Sequence, residues 1–187
     1  MIEAGAIVDP RAKIHRTAII RTGAIIGPNV TIGAGVHVGH YSTIGMWAEY
    51  RGRVDERRDE PGPVCIEADV IIREYVSVHG GTTDTTYICT RCYLQAHCHI
   101  GHDALLMPAC TIACHAVVAG NVNLERDCNL GLHATTHQNA VLKRGTMLGA
   151  GAFFKGTTPE PFRIYAGVPA KDIGPNKRLM DKLNITP

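Results

Sequence analysis

Large aliphatic residues return at every sixth position along most of the chain. The first block comprises Ile2, Val8, Ile14, Ile20, Ile26, Ile32, Val38 and Ile44. The period restarts at Ile66, Ile72 and Val78, slips by four residues, and continues through Ile88, Leu94, Ile100, Leu106, Ile112, Val118, Leu124, Leu130, Thr136, Leu142, Leu148 and Phe154. An amphipathic helix needs apolar residues three and four positions apart, so this period excludes it.

A second, smaller residue follows four places after each of these positions, and it is usually alanine, cysteine, valine or serine. One large and one small inward side chain per hexad is typical of an all-β solenoid, in which three hexads close one triangular coil. Successive coils of such a solenoid stack about 4.8 Å apart. We expect the large side chains to fill the interior and the small ones its corners.

Two segments interrupt the period. The charged stretch at 50–63, YRGRVDERRDEPGP, predicts an excursion loop, and GGTTD at 80–84 predicts a small bulge. We therefore assign 1–160 to the solenoid and 161–187 to an exit loop followed by a short helix over KRLMDKL.

Composition narrows the function classes. A formal charge of +2 and 5% aromatic residues give no basic, aromatic surface for nucleic acid. The start of the sequence does not resemble a signal peptide, and no apolar run reaches the roughly 18 residues of a membrane span, so we expect a cytoplasmic protein. The seven cysteines are expected to be reduced thiols, and four of them, Cys92, Cys98, Cys110 and Cys128, occupy the small inward position.

Candidate chemistry concentrates in HCHIGHDALL at 97–106. His102 is followed directly by Asp103, which predicts an imidazole base with a carboxylate neighbour, because histidine titrates near neutral pH and a carboxylate stabilises the imidazolium. His97, His115 and His133 recur at three times the hexad period, once per coil, so they should stack in one column, as a polar surface ladder or as a metal or anion site.

The solenoid pattern resembles the left-handed β-helix of the hexapeptide acyltransferases. More specifically, IREYVSVH, HCHIGHD, VVAGNV and ATTHQNA resemble, in order and spacing, the UDP-N-acetylglucosamine O-acyltransferases of lipid A biosynthesis. The resemblance implies a homotrimer with active sites between neighbouring chains. It also implies transfer of an acyl group from an acyl carrier protein or coenzyme A thioester to a hydroxyl or amino group of a nucleotide sugar or related sugar.

The resemblance assigns roles to individual residues. His102 would be the general base, Asp103 would orient it, and the backbone N–H of Gly120 would contribute to an oxyanion hole. The positions implied for binding acceptor and donor are His79, His99, Asn121, His137, Gln138 and Ala150. No cofactor or metal is implied beyond the donor thioester.

Several positions differ from that family. Asn121 stands where the family usually has histidine. Asp55 and Arg57 lie next to, but not at, the positions where the family has its acidic and basic contacts to substrate. Ala150 would shorten the accepted acyl chain relative to glycine. We expect no counterpart of that family's C-terminal helical domain after KRLMDKL, and IYAGVPAKDIG resembles the exit loop of acetyl-CoA-dependent members. The acyl carrier and the chain length therefore stay open.

Three other functions remain as alternatives. The first is a zinc enzyme like the γ-class carbonic anhydrases, with His79, His97 and His102 as ligands. The second is an acetyl-CoA-dependent sugar acetyltransferase, and the third is a scaffold or sugar-binding module without catalysis.

Overall fold

The computed structural model describes residues 1–49 and 60–185, and it confirms the predicted solenoid. Most strands contain two residues and are joined by four-residue corners, as the six-residue period requires. In chain order the strands are β1 (Ile7–Val8), β2 (Lys13–Ile14), β3 (Ile19–Ile20), β4 (Ile25–Ile26), β5 (Val30–Ile32), β6 (His37–Val38), β7 (Thr43–Met46), β8 (Val64–Ile66), β9 (Ile71–Ile72), β10 (Ser77–His79), β11 (Thr86–Ile88), β12 (Tyr93–Leu94), β13 (His99–Ile100), β14 (Leu105–Leu106), β15 (Thr111–Ile112), β16 (Val117–Val118), β17 (Asn123–Leu124), β18 (Asn129–Leu130), β19 (Thr135–Thr136), β20 (Val141–Leu142), β21 (Met147–Leu148), β22 (Phe153–Phe154), β23 (Arg163–Ala166) and β24 (Lys171–Pro175).

The strands form the three parallel faces of a prism. The first sheet has the order β1-β4-β7-β10-β13-β16-β19-β22, the second β2-β5-β8-β11-β14-β17-β20, and the third β24-β23-β21-β18-β15-β12-β9-β6-β3. Strand β13 pairs with β16, and His99 lies opposite Val117, so the coil between them contains three hexads. Strand β10 pairs with β13, Ser77 opposite His99, and this coil is longer than three hexads. The four-residue slip in the sequence therefore enlarges a single coil.

The interior is filled as the period predicts. The second residue of each typical strand is fully buried, with Ile100, Leu106 and Leu124 all at 0% exposure. Thr136, the one polar residue in this series, is also fully buried, and its hydroxyl donates to the carbonyl of Val117. The four cysteines at the small position are buried at the corners, and all seven cysteines are free thiols. Close packing of one large and one small side chain per hexad therefore defines the core.

Most corners contain a residue in the left-handed backbone region. The third residue of the typical corner has positive φ and is often asparagine, aspartate or histidine, the residue types that tolerate this region best. The non-glycine members within the coils are Tyr41, Asp69, Tyr75, Arg91, His97, Asp103, Ala109, His115, Asn121, Asp127, His133 and Asn139. This conformation lets the chain turn within four residues, and it also fixes where Asp103 stands.

The predicted histidine column is confirmed and is longer than expected. The rings of His97, His115 and His133 stack with centroids 4.8 Å apart and nearly parallel planes. Tyr75 stacks on His97 at 4.9 Å, and Tyr41 stacks on Tyr75 at 5.4 Å. The enlarged coil lies between Tyr75 and His97, so these two residues are further apart in the sequence than three hexads. The repeat spacing that relates the three histidines therefore does not predict that Tyr75 joins the column. These five rings lie along the corner between the third and first sheets.

The end of the chain is more ordered than the predicted exit loop. Strand β23 extends the third sheet beside β21, and β24 pairs with β23 antiparallel. Helix α1 (Lys177–Lys182) follows, with the side chain of Asn176 accepting from the backbone N–H of Leu179 at its start. Most of the predicted excursion loop, 50–59, lies outside the described residues. Within the described part of the chain, no helix is long and apolar enough to cross a membrane.

The left-handed corner position leads to a prediction at Ala109, which has φ 63°. An L-residue with a Cβ is strained there, so Ala109→Gly should stabilise the protein by about 0.5–1 kcal/mol despite the greater freedom of glycine in the unfolded chain. Urea unfolding measures the difference. Ala116→Gly is the matched control, because Ala116 is fully buried and is not among the positive-φ residues, so this substitution should destabilise. A lower stability for Ala109→Gly would contradict the strain argument.

Candidate active site

Three successive coils place most of the candidate residues at one corner. We call this corner, between the first and second sheets, the His102 corner; it comprises residues 101–104, 119–122 and 137–140. His102, Gly120 and Gln138 take the same place in successive coils. The backbone N–H of Asn121 donates to the carbonyl of His102, and that of Asn139 to the carbonyl of Gly120, so hydrogen bonds hold the three turns in register.

His102 and Asp103 form the pair that their adjacency predicts. The Nδ1 atom of His102 lies 2.7 Å from Oδ2 of Asp103. The side chain of His102 is 9% exposed and that of Asp103 is 1% exposed, so the contact is largely shielded from water. A carboxylate can only accept, which places the proton of the neutral imidazole on Nδ1 and the lone pair on Nε2.

The carboxylate of Asp103 is held by the preceding coil. Its Oδ1 accepts backbone N–H bonds from Thr82 at 2.8 Å, Thr83 at 3.1 Å and Asp84 at 2.8 Å, and its Oδ2 accepts the hydroxyl of Thr82 at 2.6 Å. Burial alone would raise the pKa of Asp103, but the hydrogen bonds from Thr82, His102 and Asp84 outweigh it and hold the pKa well below the usual range. Asp103 is therefore a fixed anion beside the imidazole.

Two further imidazoles lie on the first sheet next to His102. The rings of His79 and His99 meet edge to face with centroids 4.7 Å apart, and Nδ1 of His99 lies 2.7 Å from the hydroxyl oxygen of Ser77. Burial lowers the pKa of His99 to about 4, and the neighbouring His79 acts in the same direction. Burial also lowers the pKa of His79. Both rings are therefore suited to hydrogen bonding in the neutral form.

Gly120 is packed directly against the imidazole of His102. A Cβ on Gly120 would lie 2.5 Å from Nε2 and 2.6 Å from Cε1 of that ring. A Cβ on Gly101 would in turn lie 2.7 Å from the backbone nitrogen of Gly120. Only glycine allows the coils to approach this closely, and the Nε2 side of the His102 ring consequently lies against the backbone at Gly120.

The next coil brings His137 and Gln138 to the same corner. Both side chains are exposed, the Nδ1 atom of His137 lies 3.2 Å from the carbonyl oxygen of Gln138, and the ring of His137 meets Phe153 at 6.1 Å. Their place one coil beyond Gly120 matches the order of the motifs in the sequence.

Two other candidates lie elsewhere. His97 belongs to the stacked column, and Ala150 lies at the same corner as that column, one coil beyond His133. Within residues 1–49 and 60–185, no group of three histidine, cysteine, aspartate or glutamate side chains could hold a metal ion. The trio His79, His97 and His102 of the zinc alternative therefore does not form a ligand set. Asp55 and Arg57 lie outside the described residues.

The sequence interpretation assigned no role to the residues that support the site. Ser77 contacts His99, Thr82 to Asp84 hold Asp103, and the hydroxyl of Thr86 accepts the backbone N–H of Asp103 at 2.9 Å. The feature of the sequence that could have indicated them is the four-residue slip next to GGTTD. The extra residues lie at the same corner as His102, one coil earlier, and must project close to His102.

Comparisons with known proteins concern the repeat and the fold of the chain. Residues 11–45 match the family described as bacterial transferase hexapeptide (six repeats). The acyl-[acyl-carrier-protein]–UDP-N-acetylglucosamine O-acyltransferase of Syntrophobacter fumaroxidans is 34% identical over 115 residues, covering 52% of this chain and 45% of the relative. The protein of the same name from Campylobacter lari is 31% identical, covering 57% of this chain and 40% of the relative. The matches thus span less than half of the length of these curated relatives.

Solved structures extend the match to the whole fold. The UDP-N-acetylglucosamine O-acyltransferase of Moraxella catarrhalis superposes with a TM-score of 0.87 at 23% identity, covering 99% of this chain and 78% of the other. The Francisella novicida UDP-N-acetylglucosamine acyltransferase gives 0.88 at 22% identity, covering 100% and 75%. The chain is a left-handed β-helix of hexapeptide repeats. This β-helix brings His102, Asp103 and Gly120 together at one corner.

The low pKa of His99 predicts a specific acid sensitivity. The unfolded chain binds a proton at His99 below about pH 6.5, whereas the folded chain does so only near pH 4, so stability falls as the pH is lowered through this window. After allowance for partial exposure, the wild type should lose about 1 kcal/mol more than His99→Gln between pH 7 and pH 5. Urea unfolding at the two pH values measures this difference.

The control for this prediction is the range from pH 7 to pH 8, where His99 is mostly neutral in both states and the two proteins should respond nearly alike. Equal losses of stability in wild type and variant between pH 7 and pH 5 would contradict the assignment of a buried neutral imidazole.

Proposed function

We propose that this protein is an acyltransferase that moves an acyl group from a thioester carrier to a hydroxyl or amino group of a UDP-sugar, with His102 as the general base. The observation that carries the proposal is the shielded pair of His102 and Asp103, whose Nε2 side lies against Gly120. The names of the similar proteins support acyl carrier protein as the donor's carrier and UDP-N-acetylglucosamine as the acceptor.

The proposed reaction is a direct attack without a covalent enzyme intermediate. His102 Nε2 removes the proton of the acceptor hydroxyl or amine as its oxygen or nitrogen bonds to the thioester carbonyl carbon. The imidazolium that forms is stabilised by the ionised Asp103. When the tetrahedral intermediate collapses, the carbon–sulfur bond breaks and Nε2 returns the proton to the leaving thiolate. The products are an ester or amide and a free thiol.

The role of Gly120 follows from its position beside Nε2. A backbone N–H at this place can donate to the carbonyl oxygen as negative charge develops, and one such donor contributes about 3 kcal/mol to transition-state stabilisation in other acyl transfers. His79, His99, Asn121, His137 and Gln138 are proposed to bind acceptor and carrier around this centre, the first two as neutral imidazoles.

The acyl chain is proposed to follow the outer face of the first sheet, between the His102 corner and the other corner of that sheet, at Ala150. This face carries the outward residues of the first sheet, with Val117, Thr135 and Phe153 in the last three strands. The methyl group of Ala150 would then limit the chain length, so donors from acetyl to long-chain acyl belong in the assay.

The proposal predicts acyl transfer that depends on His102. Purified protein is incubated with UDP-N-acetylglucosamine, or an amino-bearing analogue, and acyl thioesters of acyl carrier protein or coenzyme A, and the product is measured by mass spectrometry. His102→Ala and the bulkier His102→Gln should lower kcat/KM by on the order of 10³-fold, because they remove the general base. Thermal melting verifies that both variants are folded.

The matched control for the His102 variants is His15→Ala, which removes an imidazole that is exposed in the first coil and contacts Thr17. It should retain activity within about twofold. Wild-type turnover in His102→Ala would overturn the assigned base. No transfer by the folded wild type from any donor would overturn the acyltransferase assignment, and stoichiometric zinc with hydration of carbon dioxide would favour the metalloenzyme instead.

We also propose that the protein acts as a homotrimer with its site between neighbouring chains. The exposed side chains of His137 and Gln138 at the His102 corner support this assembly, because a second chain can cover them and enclose the acceptor. Light scattering after size exclusion should give three times the mass of one chain at micromolar concentration. A monomer under the conditions of full activity would contradict the shared site.

A further inference from the structure

The segment that holds Asp103 is the insertion that breaks the six-residue period. Between β10 and β11 the chain passes through Gly80 to Thr85, six residues where the typical corner has four. We call Gly80 to Thr85 the clamp loop. It lies in the coil directly before His102 and at the same corner, so its extra residues project over the turn that carries Asp103.

The two carboxylate oxygens of Asp103 have different hydrogen-bond partners. Three consecutive backbone N–H groups, from Thr82, Thr83 and Asp84, converge on Oδ1, an arrangement that binds anions well. They fix the rotation of the carboxylate so that Oδ2 faces the imidazole. Oδ2 then accepts both from His102 and from the hydroxyl of Thr82.

The shape of the clamp loop is set by close backbone contacts. A Cβ on Gly81 would lie 1.6 Å from the carbonyl oxygen of Asp84 and 3.0 Å from Oδ1 of Asp103, and a Cβ on Gly62 would lie 1.9 Å from the carbonyl oxygen of Gly81. The backbone N–H groups of Gly81 and Thr86 both donate to the carbonyl of Pro63. The loop is therefore anchored at both ends and can hold its donors rigidly.

We propose that Thr82 is a positioning residue for the acyl transfer, acting through Asp103 to keep His102 in the tautomer with the proton on Nδ1 and the lone pair on Nε2. This inference rests on the proposed function, since only general-base chemistry at Nε2 uses that tautomer. Thr82 holds two of the four donors from the clamp loop, and its hydroxyl is the one that a side-chain substitution can remove. That hydroxyl bond is also the shortest of the four, at 2.6 Å.

The test removes the hydroxyl while keeping the backbone donors. Thr82→Val has nearly the same shape, and Thr82→Ser restores the hydroxyl without the methyl group. We expect Thr82→Val to lower kcat about tenfold, with KM for both substrates changed less than twofold, because a hydrogen bond to a charged group is lost away from the substrate. Thr82→Ser should recover at least half of the wild-type kcat.

A second measurement does not depend on turnover. The ¹⁵N resonances of the His102 imidazole in the resting protein report which nitrogen carries the proton. Wild type and Thr82→Ser should show a protonated Nδ1 and an unprotonated Nε2, whereas Thr82→Val should show a mixture of the two tautomers. If the protein transfers no acyl group at all, this spectrum still decides whether Thr82 controls the imidazole, so the two failures are distinguishable.

The matched control is Thr31→Val. Thr31 lies at an exposed position of β5, on the second sheet and in an earlier coil, so the substitution makes the same change of side chain away from Asp103. It should leave kcat and the His102 spectrum as in wild type. Thr82→Ala serves as a second hydroxyl-free variant if Thr82→Val proves poorly folded.

Three results would overturn the inference. The first is a wild-type kcat and spectrum in both Thr82→Val and Thr82→Ala. The second is an increase in KM with unchanged kcat, which would mean that Thr82 contacts a substrate. The third is a Thr82→Ser protein as impaired as Thr82→Val, which would mean that the methyl packing, and not the hydroxyl, is what matters.

Discussion

The structure depends on parallel hydrogen bonding between coils whose corners turn through a left-handed residue. Each coil donates its strand N–H groups to the coil that follows, so the strands of neighbouring coils must keep one register. The typical four-residue corner meets this demand with a third residue of positive φ. Asparagine, aspartate, histidine and glycine adopt positive φ at little cost in energy. The first three of these also have side chains that can bind ligands or transfer protons.

The proposed catalytic pair follows from this constraint. Asp103 occupies the left-handed position and His102 the position before it, and the 2.7 Å contact between their side chains is a consequence of the corner geometry. The same geometry stacks Gly120 beside the imidazole, one coil later. Within the described residues, the coils thus place the proposed base, its carboxylate and a backbone donor next to one another, which suits a reaction that depends on orientation.

The histidine column shows the same geometry without the supporting contacts. His97, His115 and His133 also sit at left-handed positions, yet their rings are exposed and stack on one another. What distinguishes His102 is its burial beside an ionised carboxylate, together with two neutral imidazoles nearby. This burial and this carboxylate support His102, rather than a histidine of the column, as the proposed base.

The amino-acid sequence alone determined the coil, the inward residues, the column of histidines and the adjacency of His102 to Asp103, because a strict six-residue period fixes which side chains face inward and which positions stack. The tertiary structure decided how Asp103 is held, that His79 meets His99, and that Gly120 touches the imidazole. Those contacts join residues from different coils, and one of those coils is longer by four residues. The conformation of a non-periodic insertion depends on what it packs against. No local pattern in GGTTD specifies that its backbone N–H groups will donate to a carboxylate some twenty residues away.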